Sequence, residues 1–250
     1  MTRDDGRLWT GLRSRVAGRL PMPLSHTVGL DHAEPPDVVR RRRRVVAGTS
    51  VVGAVLLGAS LSTRPGSRAF YLSTGTVAGV WAVGGALSGP LHLGWIEDRD
   101  ATLRRPVVTP VLTGVGAFGI FYGAARVVRW VPVLDRAVAR VLTYADAGSS
   151  RMVLATTLAN GLGEELFFRG ALYTALGDSH PVLSSTAIYT LATTTTRNPA
   201  LVLAAGVMGS LFGLQRRASG GVQAPLLTHL TWSALMVRFL PPLFRRAREA

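Results

Sequence analysis

The sequence predicts an all-α fold, a polytopic transmembrane helix bundle of about seven or eight spans with one interfacial helix. Three observations lead there. Mean hydropathy is positive, at +0.28. Charged residues make up 17% of the chain, against ~25% in soluble domains. Apolar runs close to the ~20 residues that cross a bilayer recur along the chain. The 250 residues include no cysteine, which excludes disulfides and thiolate metal ligands. All 28 basic residues are arginine, and the formal charge is +14. These arginines cluster beside the apolar runs, where they meet lipid headgroups and set orientation. The expected partner at this point is therefore the lipid bilayer, with no nucleic acid.

Residues 1–44 are polar, contain proline and end in the run Arg40 to Arg44. They read as a cytoplasmic, basic, poorly ordered segment, and residues 45–250 as the transmembrane domain. The polar stretch is too long for the first part of a cleavable signal peptide. Ten arginines (Arg3, Arg7, Arg13, Arg15, Arg19 and Arg40 to Arg44) precede the first span, residues 45–63. The positive-inside rule therefore predicts a multi-pass protein of the cell membrane with a cytoplasmic N-terminus. Further spans are expected at 70–95, 107–128, 152–176, 181–196, 199–215 and 222–242. Residues 131–145 differ. Leu134, Val138, Val141, Leu142 and Ala145 recur there at helical spacing, while Asp135, Arg136 and Arg140 lie elsewhere, so this helix is expected in the interface. If it crossed instead, an eighth span would return the C-terminus to the cytoplasm. No internal repeat suggests a transporter built from two related halves.

The stretch "GLGEELFFRG", residues 161–170, sets three ionisable groups in an otherwise apolar run. On insertion scales a charge near a helix centre costs ~2.5–3.5 kcal/mol, and a leucine returns only ~0.3–0.6. Three charges overwhelm the apolar surplus of one helix, so they call for a function. Glu165 and Arg169 are four apart and share a helical face, which allows an ion pair. Glu164 projects about 100° away from Glu165 and is left without that partner. A buried carboxyl of this kind can take up a proton near neutral pH, as a general base must. A polar cluster that only glues helices together is the competing reading. One pair suffices for that, and the spare carboxylate favours chemistry.

These residues resemble a family. "EELFFR" is similar to the Glu-Glu-x-x-x-Arg motif of the CPBP family (CAAX protease and bacteriocin processing), the Rce1-like intramembrane glutamic endopeptidases. The downstream "VMGSLFGLQRRASGGVQAPLLTHLTWSALM" looks like the family's closing region, and the resemblance covers about residues 150–240. It implies that Glu164 activates water while Glu165 holds Arg169 and orients the site. It implies that His229 is the last-motif histidine, contributing to an oxyanion hole. Ser233 stands four residues later, where the family usually has asparagine or aspartate, and keeps one hydrogen-bond donor there. The second motif, an aromatic residue followed four later by histidine, aligns with Tyr189 and Thr193. Threonine is no base near neutral pH, so the histidine that normally assists the glutamate is missing. If Thr193 faces Glu164 it positions a water; the commoner role of such a hydroxyl is a bond to its own helix.

No metal or other cofactor is expected, because a zinc site takes three or four ligands and the matched region's helices offer one histidine. His92 reads as structural, and His26, His32 and His180 as solvated. Phe167, Phe168 and Tyr173 read as packing, whereas Trp232, beside Ser233, is placed to line the cavity. The arginine run needs only its orienting role. The resemblance implies an intramembrane endopeptidase of the CPBP type, with a membrane protein or peptide substrate as its partner beside the lipid bilayer. Its rivals are a catalytically silent relative that binds a membrane partner, for example as an immunity protein, and a small transporter using Glu164 and Arg169.

Overall fold

The computed structural model describes residues 34–97, 102–177 and 180–245. Within them the chain forms eight helices: α1 (Pro36–Ser60), α2 (Arg68–Leu87), α3 (Val108–Val128), α4 (Pro132–Ala147), α5 (Ser150–Glu164), α6 (Pro181–Thr194), α7 (Pro199–Ser219) and α8 (Gln223–Arg245). Helix α5 runs on without a break through a π-helical stretch (Glu165–Leu172) into a last α-helical turn (Tyr173–Leu176). Two short antiparallel strands, β1 (Ile96–Glu97) and β2 (Leu103–Arg104), pair Ile96 with Arg104 between α2 and α3.

Local chemistry sets the helix ends. Proline opens α1, α4, α6 and α7 in the first turn, where the absent N–H is no loss. The Ser67 hydroxyl caps α2 by accepting from Phe70 N at 3.1 Å. The Asn198 side chain accepts from Ala200 N and Leu201 N at the start of α7. Gly220, at φ 68°, ends α7 in the left-handed conformation that glycine adopts freely. The span expected at 70–95 stops at Leu87, because Gly89, at φ 136°, and Pro90 turn the chain out of the helix. The extended residues that follow are tied to the turn before α8, with Val222 N donating to His92 O at 2.8 Å and Gln223 N to Leu93 O at 3.0 Å.

The helices alternate in direction between two ends of the bundle. At one end Arg43 of α1 donates to Ala175 O at the close of α5, 3.2 Å away. There too Thr228 of α8 donates to Pro110 O of α3 at 2.9 Å. At the other end Tyr144 of α4 donates to Leu61 O and Thr63 O just past α1, at 2.7 and 3.0 Å. Asn198 donates to Ala137 O of α4 at 2.8 Å. Both helix α4 and the chain on either side of it therefore stay at this second end. That is the behaviour expected of the interfacial segment, and the seven remaining helices alternate around it. By length and composition three of the described helices, α2, α3 and α7, are long and apolar enough to cross a membrane. Helices α4, α5 and α6 are only 16, 15 and 14 residues long, and α1 carries the arginine run.

Two expectations for the N-terminal region need revision. The helix starts at Pro36, not at residue 45, so the arginine run is helical; Asp37 sits in its first turn, where a negative charge favours the helix. Residues 1–33, with His26, His32 and the first five arginines, lie outside the described residues. The run also does more than set orientation. Arg42 is buried, paired with Glu34 and donating to Ser88 Oγ at 3.2 Å, while Arg43 bonds to Ala175 O as above.

The core beside the site is aromatic. Trp81 of α2, fully buried, meets the rings of Phe167 and Phe168 at centroid distances of 4.7 and 4.8 Å. Small residues let α2 and α5 come this close. A Cβ on Gly163 would stand 2.6 Å from Ala78 O, and one on Gly85 2.9 Å from Leu166 O. Both positions exclude any side chain.

Candidate active site

The three charges of the opening motif sit where α5 changes to the π-helical stretch, a feature often found at functional sites because it re-aims side chains within one helix. Glu165 is fully buried and Arg169 is 1% exposed. Arg169 Nη1 donates to Glu165 Oε1 at 3.2 Å, the pair expected from their spacing. The guanidinium also lies over the rings of Tyr189 (4.7 Å) and Phe212 (5.0 Å). Aromatic faces thus replace part of the hydration this cation loses.

His229 of α8 reaches the same carboxylate, with Nδ1 2.8 Å from Glu165 Oε1. Its ring stacks on Phe212 at 4.7 Å and 21°. With Glu165 ionised, Nδ1 carries the proton that makes this bond, and Nε2 is the nitrogen left for other partners. Nε2 faces α5 one turn before the motif, 3.6 Å from where a Cβ on Gly161 would stand.

Glu164, half-buried, is not without a partner, contrary to the sequence expectation. Tyr189 of α6 donates its hydroxyl to Glu164 Oε2 at 2.7 Å. Sequence spacing hides this contact, since the two residues are 25 apart and lie on different helices. The available signal is that the aromatic residue aligned with the second motif is a tyrosine, which carries a donor. Thr193 is buried and bonds Tyr189 O within its own helix at 2.8 Å. It has the commoner of the two roles weighed for it. Ser233 is buried one turn after His229 on α8.

Other residues complete the surround. Trp232 stands 6.0 Å from the His229 ring and packs edge-on to Phe121. Arg216 of α7, which sequence reasoning did not single out, is buried; its Nε donates to Arg169 O at 2.8 Å and its guanidinium lies over Tyr173. It braces the π-helical stretch from behind and gives Tyr173 a task beyond packing. His92 contributes its main chain to the loop before α8, and His180, at φ 56°, is exposed ahead of α6. Among the described residues no group of three or more histidine, aspartate and glutamate side chains is placed to hold a metal ion.

A half-buried carboxylate thus stands beside a buried Arg169–Glu165–His229 cluster. Such an arrangement can accept a proton at Glu164 while the neighbouring groups stay fixed. Residues 147–235 match the model of the family described as Type II CAAX prenyl endopeptidase Rce1-like, and Glu164, Glu165, Arg169, Tyr189, Thr193, His229 and Ser233 all fall inside that stretch. No curated protein and no solved structure matches the chain. Over residues 147–235, less than half of the chain, the protein is thus similar to the Rce1-like family.

Proposed function

We propose that the protein is an intramembrane endopeptidase that hydrolyses a peptide bond of a membrane protein or peptide with water activated by Glu164. The observation that carries this reading is the division of labour between adjacent glutamates. Glu165 is bound to Arg169 and His229 and is fully buried, whereas Glu164 is held at one oxygen by Tyr189 and remains half-buried. Glue between helices needs the first and has no use for the second.

In the proposed step Glu164 takes a proton from water as the water oxygen bonds to the scissile carbonyl carbon, and the carbonyl π electrons move to oxygen. His229, through Nε2 when both ring nitrogens are protonated, and Ser233 donate to that oxyanion. Collapse breaks the C–N bond. The leaving amine takes the proton from Glu164, and the products are a carboxylic acid and an amine. The step is written with water and these side chains alone.

The protein is read as a multi-pass protein of the cell membrane with its N-terminus in the cytoplasm. The alternating helices and the Arg40–Arg44 run support that placement. A catalytically silent relative that binds a membrane partner is the second reading, favoured by Thr193 standing where the family has histidine. Purified protein in liposomes, given membrane-anchored peptides in heavy-oxygen water, separates the two. Hydrolysis places the label in a new C-terminal carboxylate, and a silent binder retains intact peptide.

A further inference from the structure

We infer that Tyr189 is the positioning residue of Glu164, performing through its hydroxyl the task for which position 193 offers no base. The inference rests on the reading of Glu164 as the base that activates water. Three observations support it. The Tyr189 hydroxyl donates to Glu164 Oε2 at 2.7 Å, across the contact between α6 and α5. The ring that carries it is fixed on several sides: the Arg169 guanidinium lies over its face at 4.7 Å, the Phe168 ring meets it at 4.7 Å, and Cδ1 would be 3.2 Å from a Cβ on Gly209 of α7. One turn later Thr193 turns its hydroxyl back onto Tyr189 O at 2.8 Å, away from the glutamate.

A carboxylate on a two-methylene side chain samples several rotamers, and a base must present one oxygen to its water. Tyr189 holds one oxygen of Glu164 and so orients the other. The charged and titratable groups around Glu164 are Tyr189 from α6, Glu165 and Arg169 from its own helix, and His229 from α8. Glu165, Arg169 and His229 bond to one another, which leaves the phenol as the one neighbour of this set with a hydrogen bond to Glu164.

The test compares Tyr189→Phe with the parent, each with Glu164 and with Glu164→Gln, using the full chain in liposomes. Two readouts are taken: the infrared carboxylate band and the kcat and KM for a membrane-anchored peptide. Tyr189→Phe should move the band when Glu164 is present and leave the Glu164→Gln spectrum unchanged. It should lower kcat by about tenfold or more, with KM within about twofold. Fluorinated tyrosine at position 189, which keeps ring and hydroxyl and alters only the phenol's acidity, should change kcat too; it serves if the phenylalanine variant does not fold. An unchanged band, or an active parent whose kcat ignores both changes at position 189, overturns the inference alone and reduces Tyr189 to a helix clamp. A parent that never cleaves, with the spectral coupling intact, overturns the proposed function, and with it any catalytic part for Tyr189.

Discussion

His229 Nδ1 lies 2.8 Å from Glu165 Oε1, and the same oxygen accepts from Arg169. One carboxylate therefore ties α8 to the π-helical stretch of α5, with Arg169 set between aromatic faces. The histidine aligned with the family's last motif is held by the second glutamate of the first motif. This arrangement fixes which nitrogen can act: Nδ1 is bonded to Glu165, so any contact with a substrate oxygen goes through Nε2. It also makes Glu165 a residue that orients two partners, where its sequence spacing indicates one.

Removing Arg169 should destabilise the protein more than neutralising Glu164. Arg169→Ala leaves Glu165 fully buried with only His229 beside it. Breaking a buried pair in this way costs ~3–5 kcal/mol, and the remaining histidine contact moves the expected loss toward the lower end. Glu164→Gln keeps the shape and one hydrogen-bonding oxygen for Tyr189. Thermal unfolding and folded yield in detergent should rank parent and Glu164→Gln together, with Arg169→Ala clearly below. Equal yields of the two variants would contradict this.

Thr193→Val should leave cleavage within about twofold of the parent. The Thr193 hydroxyl bonds Tyr189 O inside α6, and valine matches its shape while removing only that local bond. A loss of tenfold or more would place Thr193 in the reaction after all.

Much of the fold was legible because bilayer-length apolar runs and proline or glycine breaks are local signals. The helix at α4 followed from its amphipathic spacing, and the Glu165–Arg169 pair from the turn of one helix. Contacts between distant segments were not legible. The partner of Glu164 lies on another helix, and Arg216 looked like part of a basic turn until its Nε was seen on Arg169 O. The early start of α1 was obscured because Arg42 and Arg43 read as orienting charges at the headgroups, although their partners, Glu34, Ser88 and Ala175 O, allow them to turn inward. Orientation from charge is likewise a long-range matter. Arg64, Arg68, Arg126, Arg129, Arg136, Arg140, Arg151 and Arg197 all lie in or beside the chain segments at the α4 end, opposite the Arg40–Arg44 run at the start of α1.

Gly163→Ala should disturb the site without touching its polar groups. The added methyl would stand 2.6 Å from Ala78 O and 3.2 Å from the Trp81 Cβ, so α2 and α5 must separate. Overpacking of this kind costs ~1–3 kcal/mol. The displaced backbone belongs to the residue before Glu164, so cleavage should fall along with the thermal midpoint. Gly75→Ala, on α2 with nothing within 4 Å of the added atom, is the control and should cleave like the parent with a thermal midpoint level or slightly raised.

Tyr144 gives a prediction in alkaline solution. Burial pushes its phenol up from the ordinary value of 10.0, with Arg140 opposing the shift. Its folded form therefore holds the proton more tightly than its unfolded form, so the associated stability is complete below the ordinary tyrosine range and fades as pH rises through the folded value. The protonated hydroxyl donates to Leu61 O and Thr63 O, and a net hydrogen bond contributes ~1 kcal/mol. Tyr144→Phe should lower the thermal midpoint at neutral pH, and the gap to the parent should close above pH 10.0. A gap that stays constant through that range would mean that ionisation of the Tyr144 hydroxyl does not set the effect.

Glu164→Gln decides whether the spare carboxylate exists for chemistry. Glutamine keeps the length of the side chain and an oxygen that can accept from the Tyr189 hydroxyl, while it removes the group able to take a proton from water. If Glu164 is the base, cleavage of a membrane-anchored peptide should fall by a factor of ~100 or more. The thermal midpoint should stay level or rise slightly, because residues kept for function at such sites are often held at the expense of stability. Glu165→Gln should behave differently, since it weakens the contacts to Arg169 and His229 and so lowers activity and stability together. A structural cluster would show the reverse pattern for Glu164: a change in stability with peptide cleavage, or any other membrane readout, left intact. Measuring both quantities on both variants in the same liposomes therefore separates a catalytic carboxylate from a structural one.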